Sequence, residues 1–156
     1  MCNPVACLVV LFVKRPMKFI FAVVMLVVTG MHANSQCDKK VTWYGVKGEM
    51  YDANGGLLDT KSDSIFLVTE PQKVSVRFKS DDKELEGTVT KKSCDWKEPY
   101  KNGKTVYNTT VSLDGVSSSA VFAVEAKDGK ITLTLEIDAR GGRKFVIYLD
   151  TYKEGK

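Results

Sequence analysis

The stretch Ile131-Thr132-Leu133-Thr134-Leu135-Glu136-Ile137 decides the fold, because every odd position is aliphatic and every even one polar. Side chains of a β-strand point to opposite faces in turn, so a period of two marks a strand with one buried and one wetted side. Working outward, Val74-Ser75-Val76-Arg77-Phe78 and Leu85-Glu86-Gly87-Thr88-Val89 alternate in the same way. Between the runs lie Asn54-Gly55, Asn102-Gly103, Asp114-Gly115 and Asp128-Gly129, pairs that tolerate the positive φ of tight hairpins. Pro71, Asp81-Asp82 and Gly141-Gly142 supply three further breaks. Seven breaks predict eight strands, near residues 40–51, 57–69, 73–79, 85–91, 105–112, 117–126, 130–138 and 143–152. Short loops between successive strands make them antiparallel neighbours in an up-and-down meander.

The fold class is therefore all-β. Eight strands with one apolar face hide it by closing into a small barrel or, as the alternative, by folding into a two-sheet β-sandwich. Closure also removes exposed sheet edges, which favours the barrel. The last strand differs from the seventh. Phe145-Val146-Ile147-Tyr148-Leu149 is apolar on both faces, so its second face is expected to meet a partner, the chain end or a dimer mate.

The start of the chain reads as a targeting leader, residues 1–35, ahead of a single domain, 36–156. Two apolar runs, Val5–Val13 and Phe19–Val28, are separated by Lys14-Arg15-Pro16. Met17-Lys18 followed by Phe19–Val28 has the grammar of a signal peptide, and Ala33 and Ser35 place cleavage before Gln36. Met1–Pro16 is either an extension upstream of a start at Met17 or a long basic-interrupted leader segment. Neither run reaches the ~18–20 apolar residues of a membrane-spanning helix. The expected location is secreted or periplasmic. A lipid anchor at Cys37 is the alternative, although Gln36 stands where lipoproteins carry a small residue.

Setting the leader aside changes the electrostatics. The chain has 23 Lys+Arg against 19 Asp+Glu, and the leader holds Lys14, Arg15 and Lys18 but no acid. A near-neutral domain lacks the positive field that nucleic acid requires, so no nucleic-acid partner is expected. His32, the one histidine, also falls in the leader. Without it the domain has no Ser/His/Asp or Cys/His nucleophile, no imidazole base and no His-ligated zinc. Neither an enzymatic activity nor a metal or cofactor is expected.

Cys2 and Cys7 belong to the leader, which leaves Cys37 and Cys94 in the domain. An even pair in an exported chain reads as a disulfide, closing a loop of about 58 residues. The chain-entropy model puts such a bridge at roughly 4 kcal/mol.

An exported eight-strand meander with Trp43 in its first strand and Arg143 or Lys144 in its last resembles the lipocalin-like barrels. The Gly-x-Trp of that family is here Val41-Thr42-Trp43, without the glycine. The resemblance implies a cup for a small ligand, and the shorter chain implies a shallower one.

Several residues invite a role as contacts. Trp96, Tyr100 and Tyr107 lie around the segment Cys94–Val106, among Lys91, Lys92, Lys97, Lys101 and Lys104. Aromatics beside cations stack on sugars or meet acidic partners, whereas a plain lysine-rich hairpin with Trp96 against the bridge is the structural reading. Trp43 fits the core as well as a ligand. Asp81, Asp82, Glu84 and Glu86 crowd one turn and the strand after it, unlike the separated carboxyls of a glycosidase. Asp52-Ala53-Asn54-Gly55 has the opening of a calcium loop without its distal glutamate, and is explained by a turn. Asn108-Thr109-Thr110 has the N-glycosylation pattern.

The function expected is that of a non-enzymatic exported binding protein for a small apolar or amphipathic ligand. The alternative is a secreted or envelope interaction module with a solid core, its partner another extracellular protein or a second copy in a homodimer. Leu, Ile, Phe and Val on the alternating face favour a filled interior, so the two readings part on interior volume.

Overall fold

The computed structural model describes residues 35–80 and 84–155. The leader reading on residues 1–34, and Asp81-Asp82, lie outside the described residues. A single 3-10 turn, Ser35–Asp38, precedes eight strands: β1 (Val41–Tyr51), β2 (Leu57–Thr69), β3 (Lys73–Phe78), β4 (Glu84–Glu98), β5 (Asn102–Leu113), β6 (Val116–Lys127), β7 (Lys130–Ile137) and β8 (Lys144–Glu154). Each strand pairs antiparallel with the next, and β8 closes on β1 from Val41↔Glu154 to Tyr51↔Lys144. The meander is a closed barrel and not a sandwich.

Inward positions follow the alternation. Ile131, Leu133, Leu135 and Ile137 of β7 face Ala120, Phe122, Val124 and Ala126 of β6 across the interior wall. Phe122, Leu67, Leu133 and Val74 are wholly buried, each stabilising the fold by roughly 1.5–3 kcal/mol through lost apolar surface.

Two expectations are corrected. The fourth strand runs to Glu98 instead of ending at 91, and the fifth begins at Asn102 instead of 105. The cause is a bulge between Val89 and Lys91. A bulge adds one residue to one strand and so exchanges the parity of the faces. Leu85, Gly87 and Val89 point inward before it; Lys92, Cys94 and Trp96 do so after it. Similarly, Asn102-Gly103 is not the turn. Pro99 and Tyr100 make the turn, with Tyr100 at φ 53° and Lys101 N donating to Glu98 O at 3.2 Å. Gly103 pairs with Trp96 inside the ladder at φ 138°, where a Cβ would collide with the Asp95 carbonyl. The other pairs behave as read: Asp114-Gly115 and Asp128-Gly129 both take positive φ throughout.

The Cys37 and Cys94 sulfurs stand at disulfide-bonding distance, with Cα atoms 6.2 Å apart. Such a pair suggests an oxidising compartment. Among the described residues no helix is long and apolar enough to cross a membrane.

Candidate functional site

The two ends of the barrel differ. At the base lie the start of β1, the β2–β3, β4–β5 and β6–β7 turns and the end of β8. At the mouth lie the other four connections, including a short 3-10 turn, Asp138–Arg140, between β7 and β8.

Aromatic side chains fill the base. Tyr100 folds back from its turn and is buried, with its ring edge-on to Trp43 at 5.2 Å, Trp96 at 5.6 Å and Tyr152 at 4.6 Å between centroids. Trp43 Nε1 donates to Thr69 Oγ1 at 3.1 Å, and Thr69 donates onward to Val41 O. Trp96 Nε1 donates to Thr105 Oγ1 at 2.7 Å, and the same hydroxyl stands 3.3 Å from Cys37 Sγ, so Thr105 links the indole to the bridge. Tyr107 is buried between these groups, and burial pushes its phenol above the ordinary value. Lys92 Nζ donates to Cys37 O and pairs with Asp38, holding the N-terminal turn across the base. The structure thus brings Trp43, Trp96, Tyr100 and Tyr107 into one cluster with the Cys37–Cys94 pair. Lys97 and Lys101 are exposed at its edge. None of these six lines the barrel's large cavity.

That cavity is at the mouth. It has a volume of about 490 Å³, within the ~300–1,000 Å³ of small-molecule sites. Eight of its twelve lining residues are apolar, among them Leu85, Leu113, Leu135, Ile137 and Phe145. Glu84, Ser112, Asp114 and Arg140 supply the polar part. Phe78, Leu85, Leu113 and Phe145 point inward yet stay only partly buried, because among the described residues no side chain fills the space they face. Gly48 instead lines a smaller neighbouring recess. A Cβ there would meet only ordinary contacts, 3.5 Å from Ile65 and 3.8 Å from Ile147. That recess, of about 80 Å³, shares Phe78, Phe145 and Ile147 with the cavity.

No protein-family model, no curated protein and no solved structure matches the chain. The cavity's chemistry must therefore be read from its own residues.

A second polar cluster sits on the outer wall of β1 and β8. Glu49 Oε2 accepts from Tyr51 OH at 2.6 Å and Tyr148 OH at 2.7 Å, while Lys47 Nζ lies 2.6 Å from Oε1. The Lys47 hydrogen bond, then those of the two phenols, hold the Glu49 carboxyl down at about 2. The same carboxylate pushes the Tyr51 phenol up to about 12. General acid–base work at neutral pH needs a group poised near 7, and these two are driven away from it in opposite directions. The cluster fastens β1 to β8.

The sequence-stretch candidates elsewhere resolve simply. Asp52 Oδ1 accepts from Asn54 N at 2.9 Å and Gly56 N at 2.7 Å, an Asx turn. Glu86 pairs with Lys73 on the outer wall, at 2.5 Å. Trp43 at the base and Lys144 at the mouth, the latter paired with Glu136 at 3.0 Å, stand at opposite ends of the barrel. Sequence reasoning missed the mouth. Its signal was the distribution of inward bulk, with tryptophans and tyrosines gathered at one end and phenylalanines, aliphatics and Gly48 at the other.

Proposed function

We propose that this barrel is an exported, non-enzymatic binding protein that holds a small apolar or amphipathic molecule in its mouth cavity, in the manner of lipocalin-like barrels. One observation carries the reading: inward-facing Phe78, Leu85, Leu113 and Phe145 are left partly exposed around a space of about 490 Å³. Apolar side chains wetted in a concave site gain by exchanging water for an apolar ligand. An eight-stranded barrel is of the width that holds one such molecule. At the base Trp43, Tyr100 and Tyr107 are buried, which supports a filled interior at that end.

Residues 36–156 contain no histidine, and the polar groups at the mouth make no nucleophile–base pair, which supports binding over catalysis. The leader grammar and the Cys37–Cys94 pair support a secreted or periplasmic location. A Cys37 engaged with Cys94 has no thiol to carry a lipid, which weighs against anchoring there.

The test is titration with the neutral fluorophore N-phenyl-1-naphthylamine. One saturable site is expected, lost when Leu113→Trp and Leu135→Trp together fill the cavity while circular dichroism shows the barrel intact. Binding that survives the filling, or no binding at all, would shift the reading to an interaction module. That second reading has its own observation: Tyr44, Val46 and Tyr148 are exposed on the outer wall of β1 and β8, the face where a partner or second copy was expected.

A further inference from the structure

We infer that the mouth selects an amphiphile whose head group offers both a negative charge and a hydrogen-bond donor or positive charge, a zwitterionic head above all. The inference rests on the cavity reading above and specifies its ligand.

Arg140 and Asp114 both line the cavity, on two different connections, the turn between β7 and β8 and the β5–β6 turn. Glu84 also borders it but sits on the outward parity of β4, opposite Arg77 and near Lys73. Among the described residues, neither Arg140 nor Asp114 has an ion pair within 4.0 Å or a side-chain hydrogen bond. The outer wall behaves differently: Lys39–Glu154, Lys40–Glu70, Lys73–Glu86 and Lys144–Glu136 are all paired. Charges around an apolar cavity are costly to leave without partners when a ligand displaces their water. A ligand that buries its tail among Leu113, Leu135 and Phe145 must therefore answer them with its head.

A purely anionic head satisfies the Arg140 fork but meets the Asp114 carboxylate. A purely cationic head satisfies Asp114 but meets the guanidinium. A neutral sugar head answers both with weaker bonds, because hydrogen bonds with one charged partner fall short of those with two. A head carrying both signs, or an acid beside a donor, answers each with its complement.

The experiment uses four ligands with one tail, each below its micelle concentration, titrated calorimetrically into the protein purified from its own host. They are decylphosphocholine, decanoate, decyltrimethylammonium and decyl maltoside. Decylphosphocholine should bind at least about tenfold more tightly than either singly charged ligand, the scale of one charge-assisted hydrogen bond. Arg140→Gln should erase the advantage over decyltrimethylammonium, and Asp114→Asn should erase the advantage over decanoate. Asparagine suits the left-handed backbone at position 114, where φ is 51°, so that turn survives the substitution. Equal affinity for all four heads, or variants that leave the ranking unchanged, would overturn the inference while leaving the cavity reading intact. Failure of all four to bind would overturn the cavity reading itself.

Discussion

Glu49 shows what a single residue contributes. Its carboxylate accepts from two phenols and faces Lys47 on the outer wall, which lowers its pKa from the ordinary 4.5 to about 2. A group whose folded value is depressed contributes stability that is present above the unfolded value and is lost as pH falls through the folded one. The barrel should therefore lose stability between about pH 4.5 and about pH 2, through this residue among others. Urea midpoints across that range should fall more steeply in the native protein than in Glu49→Gln. Parallel slopes would remove the cluster from the account. None of this was legible in the sequence, where Lys47, Glu49 and Tyr51 are three polar residues on one strand. The fourth member, Tyr148, lies 99 positions from Glu49, brought beside it only by closure of β8 on β1.

At the scale of elements, alternation was a sound guide wherever it ran unbroken, as in β7 and in Val74-Ser75-Val76-Arg77-Phe78. It failed where a bulge exchanged the faces. In β4 the apolar positions pass from odd to even at Val89/Lys91, so a strand of one parity seemed to end there. Asn102-Gly103 misled for a related reason: a glycine can be required by close approach of a neighbouring strand as well as by a turn, and only the pairing separates the two. Strand β7 itself crosses from the filled base to the hollow mouth. Leu133 is wholly buried in the packed interior, whereas Leu135 faces the cavity. Leu133→Ala should cost ~2–5 kcal/mol. Leu135→Ala should cost clearly less, because its cavity side has no packing contacts to lose. Chemical denaturation of both variants gives the comparison, and equal costs would mean that the mouth is packed as densely as the base.

The whole molecule joins a rigid base to an open mouth. The base is tied by the Cys37–Cys94 pair, by Thr105 between the indole and the bridge, and by Lys92 across the N-terminal turn. Such over-determination leaves the opposite end free to keep a cavity that the side chains of the described residues do not fill. The aromatic residues that stand out in the sequence, Trp43, Trp96, Tyr100 and Tyr107, build the floor and walls of the base. The residues that face the cavity are aliphatics, two phenylalanines and two scattered charges, visible only once strand direction and closure bring their ends together.

The most direct test is a methyl-resolved NMR titration with decyl maltoside, whose uncharged head leaves the cavity alone to bind it. The methyl signals of Leu85, Leu113, Leu135 and Ile137 should shift and saturate together, while those of Leu67, Val124 and Leu133 in the base stay in place. Shifts confined to outward residues such as Val46 and Val146, or none at any methyl, would contradict the claim that the mouth of this barrel is a ligand site.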